Sequence, residues 1–266
     1  MQALARLFSA HVAGAGSRTV VLGHGLGTDQ TCWAHHVGIL VAAGYRVITF
    51  DFAGATPHTA DVFVSGHYHR LNDFAGDLVA LLQALEVDNA TYVGHSMGGK
   101  AAMQLALTQG ALVRRLVVAD IAPVAYDHDQ TRHIQAMRAL DLTDLHTRAE
   151  ADRRLAAVVE DAGLRAFFLQ SLDIKAEGGP RWRLNLDVLG AEMPKIIGWP
   201  DPQGVFDGPV LFLTGADSHY VRPEHRALIR PLFPKARFAK LPGAGHWLHA
   251  DKPREFEQTL RIYFDS

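Results

Sequence analysis

The chain has 266 residues, 48% of them apolar and 20% charged, with a net charge of −2. That length supports one large domain with its own core, or a domain plus an insertion. The near-neutral balance excludes a strong electrostatic attraction to nucleic acid or to an anionic membrane.

The opening stretch MQALARLFSAHVAGAG carries an arginine inside its apolar part, so no signal peptide is expected. No apolar run reaches the roughly 18 residues a membrane span needs. Cys32 is the only cysteine, which rules out an internal disulfide and fits a reducing, cytoplasmic setting.

Strand-like and helix-like patterns alternate along the chain. RTVVLG (18–23) reads as a buried strand, WAHHVGILVAAG as a helix closed by Gly44, and YRVITFD (45–51) as the next strand. Residues 54–70 show no period and predict a long loop. NDFAGDLVALLQALEV (72–87) has helical spacing, with Asn72 as its expected N-cap. NATYVG is a third strand with GKAAMQLALTQG as its helix, and VRRLVVAD (113–120) a fourth. GPVLFLTG (208–215) and ARFAKLPG (236–243) are two more, with a helix over 223–232 between them. KPREFEQTLRIYF closes the chain as a helix with Pro253 in its first turn. The alternation predicts an α/β fold with a mostly parallel, doubly wound sheet. Residues 123–205 break the rhythm with amphipathic helical stretches. They are expected to form a helical cap inserted into a core made of 1–122 and 206–266.

Chemistry concentrates at Gly94-His95-Ser96-Met97-Gly98, where a buried strand meets a helix. A G-x-S-x-G in that context is a nucleophile elbow: the serine sits in a sharp turn that lifts its hydroxyl above the sheet. Its close neighbours must then be small, and Gly99 extends the cleared space. The helix that follows points its N-terminus, with free N–H groups, at the site. His24-Gly25-Leu26-Gly27 follows the first strand, and its backbone can face the same point. The N–H groups of Leu26 and Met97 are the expected oxyanion hole. The base is expected after the last strand, in LPGAGHWLHADKP, where His246 is flanked by Gly243 and Gly245. His249 is the competing histidine, read as a surface or capping residue. The order serine, acid, histidine is that of α/β-hydrolases.

On these motifs the chain resembles the α/β-hydrolase superfamily along nearly its whole length. Residues 20–54 are similar to the strigolactone/karrikin-receptor type of hydrolase, and residues 91–250 resemble the YbfF-type bacterial esterases. The superfamily usually carries its acid as Gly-x-x-Asp after the strand VLFLTG. Counting from Gly215, that slot holds Ser218, with Asp217 one residue early. The YbfF resemblance implies an acid in a DIAP segment, which here is Asp120-Ile-Ala-Pro123. Asp120 is therefore the first choice of acid and Asp217 the alternative.

The resulting expectation is a serine hydrolase. It cleaves carboxylic esters, with thioesters as a variant, of short to medium acyl chains through an acyl-enzyme. The partner is a small-molecule ester, and the chain is a monomer or homodimer. Three rivals stand beside it: C–C hydrolysis or perhydrolysis by the same triad, a slow-turnover, butenolide-type ligand receptor, and a catalytically dead structural homologue. The substrate pocket is assigned to His24, Gly25, His95, Tyr220 and Trp247. Phe167, Phe168, Trp182 and Trp199 are read as core. His67-x-His69 and Asp127-His128-Asp129 lack metal-ligand spacing, and no dinucleotide loop follows a strand, so neither a metal nor a cofactor is expected. Cys32 is read as a packed side chain and Lys100 as a surface charge.

Overall fold

The computed structural model describes residues 9–52, 71–126, 131–200 and 204–266. The expected 54–70 loop, the Asn72 side chain, His67, His69 and Asp127–Asp129 lie outside the described residues.

A short strand β1 (His11–Ala13) precedes β2 (Arg18–Gly23), α1 (Ala34–Ala42) and β3 (Tyr45–Phe50). Then come α2 (Leu71–Ala84), β4 (Ala90–His95), α3 (Met97–Thr108) and β5 (Val113–Ala119). Between β5 and the next strand of the main sheet lie α4 (Thr131–Ala139), α5 (Arg148–Leu155), α6 (Ala162–Gln170), the hairpin β6 (Leu172–Asp173) and β7 (Arg181–Trp182), and α7 (Leu186–Ile197). The chain then returns through β8 (Val210–Gly215), α8 (His225–Leu232), β9 (Ala236–Leu241), α9 (Leu248–Asp251) and α10 (Pro253–Asp265).

Among the described residues, seven strands form one sheet in the order β1-β3-β2-β4-β5-β8-β9. Only β1 runs antiparallel; the pairs from β3 to β9 are all parallel. Parallel strands are covered on both faces and so read as unbroken apolar runs. β4 and β8 are buried at every position. Alternate residues divide between two packed layers. Val21, Ile48, Tyr92, Val118 and Phe212 meet α2 and α3 on one face. Val20, Leu22, Val47, Val93 and Leu213 meet Trp33, Leu40, Phe256 and Leu260 on the other. The chain leaves β2 for β3 on one side and later enters β4 on the other. Such a switch point opens a crevice at the carboxyl ends of β2 and β4, where ligands bind in open α/β sheets.

β1 and α7 are among the elements that escape sequence reading. His-Val-Ala in β1 has no period, and it becomes a strand only because β3 offers a free edge. Gly190 and Pro194 punctuate α7, yet it forms as a helix capped by Asn185, whose side chain accepts from the Val188 amide at 3.3 Å. Among the described residues, α4 to α7 pack into the main apolar cluster. Ile134, Met137, Leu155, Leu189 and Ile196 join the apolar cluster that covers the α2–α3 face.

Candidate active site

Ser96 joins β4 to α3 with φ 51° and ψ −117°, a region L-residues rarely adopt. The turn is held by its neighbours. The Ser96 amide donates to the Ala119 carbonyl at 3.0 Å, and the Gly98 amide to the His24 carbonyl at 3.1 Å. A Cβ on Gly98 would stand 2.5 Å from the Gly23 carbonyl oxygen, so only glycine allows α3 to begin this close to β2. The Ser96 side chain makes no cap to its own helix, which leaves its hydroxyl available.

His246 Nε2 lies 3.2 Å from that hydroxyl, and His246 Nδ1 lies 2.8 Å from Asp120 Oδ2. A carboxylate only accepts, so Nδ1 carries the proton and Nε2 presents its lone pair to Ser96. Asp120 follows β5 at φ 52° and is fully buried. Its carboxylate is satisfied on both oxygens: Oδ1 accepts from the Gly215 amide at 3.2 Å, and Oδ2 accepts from the Ser218 hydroxyl as well as from His246. That answers the cost of burying a charge. Asp217 is exposed, and among the described residues no hydrogen bond joins its carboxylate to His246. Ser218, standing in the usual acid slot, serves Asp120 as a donor.

The Leu26 and Met97 amides take part in no turn or loop hydrogen bond among the described residues. Met97 opens α3, where helix amides lack internal partners. Both residues line a cleft above Ser96 that encloses about 870 Å³ of atom-free space, its mouth included. Tyr220 and Trp247 line it too. The Tyr220 ring stacks on the His246 ring with centroids 3.7 Å apart, and Trp247 packs on Phe167 at 4.4 Å.

Three of the expected pocket residues lie elsewhere. His24, Gly25 and His95 do not line the cleft. His24 is buried, with Nδ1–H donating to the Gly25 carbonyl and Nε2 accepting from the Phe52 amide. His95 donates from Nε2 to the His246 carbonyl at 2.8 Å. Burial, with His249 and His246 nearby, holds its pKa well below the usual range. His249 is not a surface residue: it is buried against Trp33 and His95, and burial lowers its pKa to about 3.

Other assignments change as well. Phe167 and Phe168 belong to the cleft wall, along with Ile134, Met137 and Leu164. Nothing local marks them, because the wall exists only once α4 and α6 pack beside the Ser96 turn. Lys100 is buried in the cleft wall rather than exposed. Its ammonium donates to the Ile197 and Gly198 carbonyls, both at 2.7 Å. Burial lowers its pKa to about 7.

Among the described residues no helix is long and apolar enough to cross a membrane, and no group of three or more His, Cys, Asp or Glu side chains is placed to hold a metal.

The family model described as the alpha/beta hydrolase family matches residues 20–259. The chain is 40% identical over 253 residues to the sn-1-specific diacylglycerol lipase ABHD11 of Mus musculus, covering 92% of this chain and 80% of that protein. It is 38% identical over 194 residues to esterase YbfF of Escherichia coli (strain K12), covering 72% and 73% of the two chains. Karrikin insensitive 2 receptor IA of Petunia hybrida is 38% identical over 123 residues, 46% of this chain and 44% of its own length. The solved structure of a marine microorganism esterase superposes with a TM-score of 0.85 at 28% identity, covering 96% of this chain and 98% of its own. A match that runs from β2 into α10, over a parallel sheet with a serine turn at its switch point, leaves one conclusion: the chain belongs to the alpha/beta hydrolase family.

Proposed function

We propose that the protein is a serine esterase acting on carboxylic esters of short to medium acyl chains. The hydrogen-bonded chain from Asp120 through His246 to Ser96, opening onto an apolar cleft, carries this reading. The names of the two longer-matching relatives, an esterase and a diacylglycerol lipase, support ester chemistry.

Ser96 Oγ attacks the ester carbonyl while His246 Nε2 takes its proton. Asp120 holds the imidazole in the Nδ1–H tautomer and stabilises the imidazolium without taking that proton. The Leu26 and Met97 amides receive the developing oxyanion, an effect worth about 3–4 kcal/mol per donor in comparable sites. His246 then protonates the departing alcohol, and it activates a water that clears the acyl group from Ser96. Residues 123–205 act as the cap that covers the acyl chain, and 1–122 with 206–266 as the catalytic core.

The test is a panel of p-nitrophenyl esters from acetate to decanoate, with Ser96→Ala as control. The expected result is highest kcat/KM at short to medium length and loss of all but about a hundredth or less of turnover in the variant. Faster turnover of long-chain emulsions would refute the acyl assignment. A fully active Ser96→Ala would refute the nucleophile. Running thioesters and identifying products separates ester hydrolysis from thioester, C–C or peracid chemistry at the same residues.

A further inference from the structure

The inserted segment leaves the core near Ala122 and returns after α7. Both stems converge on Lys100. At the return stem, the Lys100 ammonium donates to two successive carbonyls, Ile197 and Gly198, at the C-terminal end of α7. At the departing stem, the ammonium stands 4.9 Å from the Tyr126 ring centroid. The Tyr126 amide donates to the same Ile197 carbonyl at 3.1 Å. The Tyr126 hydroxyl accepts from the Ala122 amide and donates to the Tyr220 carbonyl, at 2.9 and 2.8 Å. Tyr220 in turn stacks on His246. On the other side, Lys100 sits one helical turn past the nucleophile, its amide donating to the Ser96 carbonyl at 3.0 Å.

A cation placed at the last carbonyls of a helix complements the negative end of the helix dipole. Charge-assisted bonds of this kind are roughly twice as strong as neutral ones. A buried ammonium is also costly unless its donors are used. Lys100 therefore favours one arrangement of α7 over the cleft. The consequence falls on the cleft wall, because Ile196 and Ile197 line it from the pinned end of α7.

We propose that Lys100 is a specificity-determining positioning residue: by pinning the end of α7 to the nucleophile helix, it sets where Ile196 and Ile197 bound the acyl chain. This rests on the esterase reading above. Burial opposes the charged form of Lys100, but the pin does not depend on the charge, because the neutral amine can donate to the same two carbonyls.

The experiment compares kcat and KM of wild type, Lys100→Met, Ile197→Ala and the double variant on acetate, butyrate, hexanoate and octanoate p-nitrophenyl esters. A fluorophosphonate label reports Ser96 reactivity in each. In Lys100→Met the ratio of kcat/KM between the best and the next longer ester should change about tenfold, the scale of one methylene in an apolar pocket. That change should sit mainly in KM, with Ser96 labelling kept. In the Ile197→Ala background, Lys100→Met should alter the ratio far less, because both act on the same wall. An unchanged ratio in Lys100→Met, or a uniform loss of kcat at every chain length, would overturn the proposal. Additive effects in the double variant would do the same. Should Lys100→Met fail to fold, Lys100→Gln decides: it keeps a polar donor in the wall but is too short to reach both carbonyls, so the ratio must shift, and a constant ratio overturns the proposal. A wild type that labels at Ser96 but hydrolyses none of the esters would instead count against the esterase reading itself.

Discussion

Asp120→Asn isolates what the buried carboxylate does. Asparagine has nearly the same shape, and it tolerates the left-handed backbone that Asp120 adopts at φ 52°. The fold should survive the change. The Gly215 amide donates to Oδ1 at 3.2 Å, which holds the asparagine oxygen on that side. The amide nitrogen is then left facing His246 Nδ1, where Asp120 Oδ2 stands at 2.8 Å in the wild type. Two N–H groups cannot face each other, so the imidazole must move its proton to Nε2. That nitrogen then meets the Ser96 hydroxyl at 3.2 Å as a donor and cannot take its proton. The cost of such a wrong tautomer is about 10⁴ in kcat, equivalent to roughly 5 kcal/mol of transition-state stabilisation. Steady-state ester hydrolysis at pH 7.5, with a melting curve to show that the variant is folded, measures it. Asp217→Asn is the matched control. Its carboxylate is exposed and apart from His246, so kcat should stay within about twofold, the range of an ordinary surface change. A loss under about tenfold in Asp120→Asn, or equal losses in the two variants, would refute the assignment.

Ser96→Gly should remove the strain at φ 51° and raise stability by about 1 kcal/mol after glycine's extra chain entropy, a rise in Tm of roughly 2–4 °C; an unchanged or lower Tm would show that the turn is unstrained. Acid should destabilise the protein before its carboxylates titrate, because His249 is held neutral with its pKa lowered to about 3 and His95 is shifted the same way. For such groups the unfolded chain binds the extra proton, so the stability is fully present above about pH 6.5 and falls as pH drops toward the folded value. His249 alone predicts a loss of about 2 kcal/mol between pH 6.5 and 5, and urea unfolding with equal free energies at the two pH values would contradict it.

The parts of the site that sequence reveals are those whose cause is local. Gly94 and Gly99 around Ser96 are required largely by contacts within the turn itself, and Gly98 by the close approach of α3 to β2; the glycine pattern of the motif marks all three. His246 is marked in the same way by Gly243 and Gly245. What stayed hidden depends on partners far along the chain. Lys100 reads as an ordinary helix-surface lysine, and only the end of α7, 97 residues later, buries it. His249 reads as a surface or capping residue, and its burial needs Trp33 and His95 from two other elements. The cleft wall formed by Phe167 and Phe168 is invisible for the same reason: an aromatic pair on a helix is core or pocket according to what the helix faces. The strands were legible because their two-sided burial demands continuous apolar runs, whereas β1, exposed and three residues long, obeys no such demand.

The place of the proposed acid has a geometric cause. β5 and β8 are hydrogen-bonded neighbours, and neighbouring strands lie about 4.8 Å apart. The Asp120 amide continues that pairing by donating to the Leu213 carbonyl at 2.9 Å. A carboxylate just past β5 and one three residues past Gly215 therefore compete for a single space beside His246. Here Asp120 fills it, and Ser218, from the other strand, is close enough to donate to the same Oδ2 that meets His246. An acid moved to position 218 should reach the imidazole from there. Adding Ser218→Asp to Asp120→Asn should restore much of the lost rate, because the asparagine put in place of Asp120 can turn its amide toward the new carboxylate and Nδ1 regains an acceptor. Full recovery is not expected, since a displacement of about 1 Å at such a site costs on the order of 10². The double variant should therefore run about a hundredfold above Asp120→Asn and about a hundredfold below wild type. Ser218→Asp alone should be poorly active, because two carboxylates would crowd one space and one would hold a proton. If the double variant is no faster than Asp120→Asn, the two strand ends do not share one acid site.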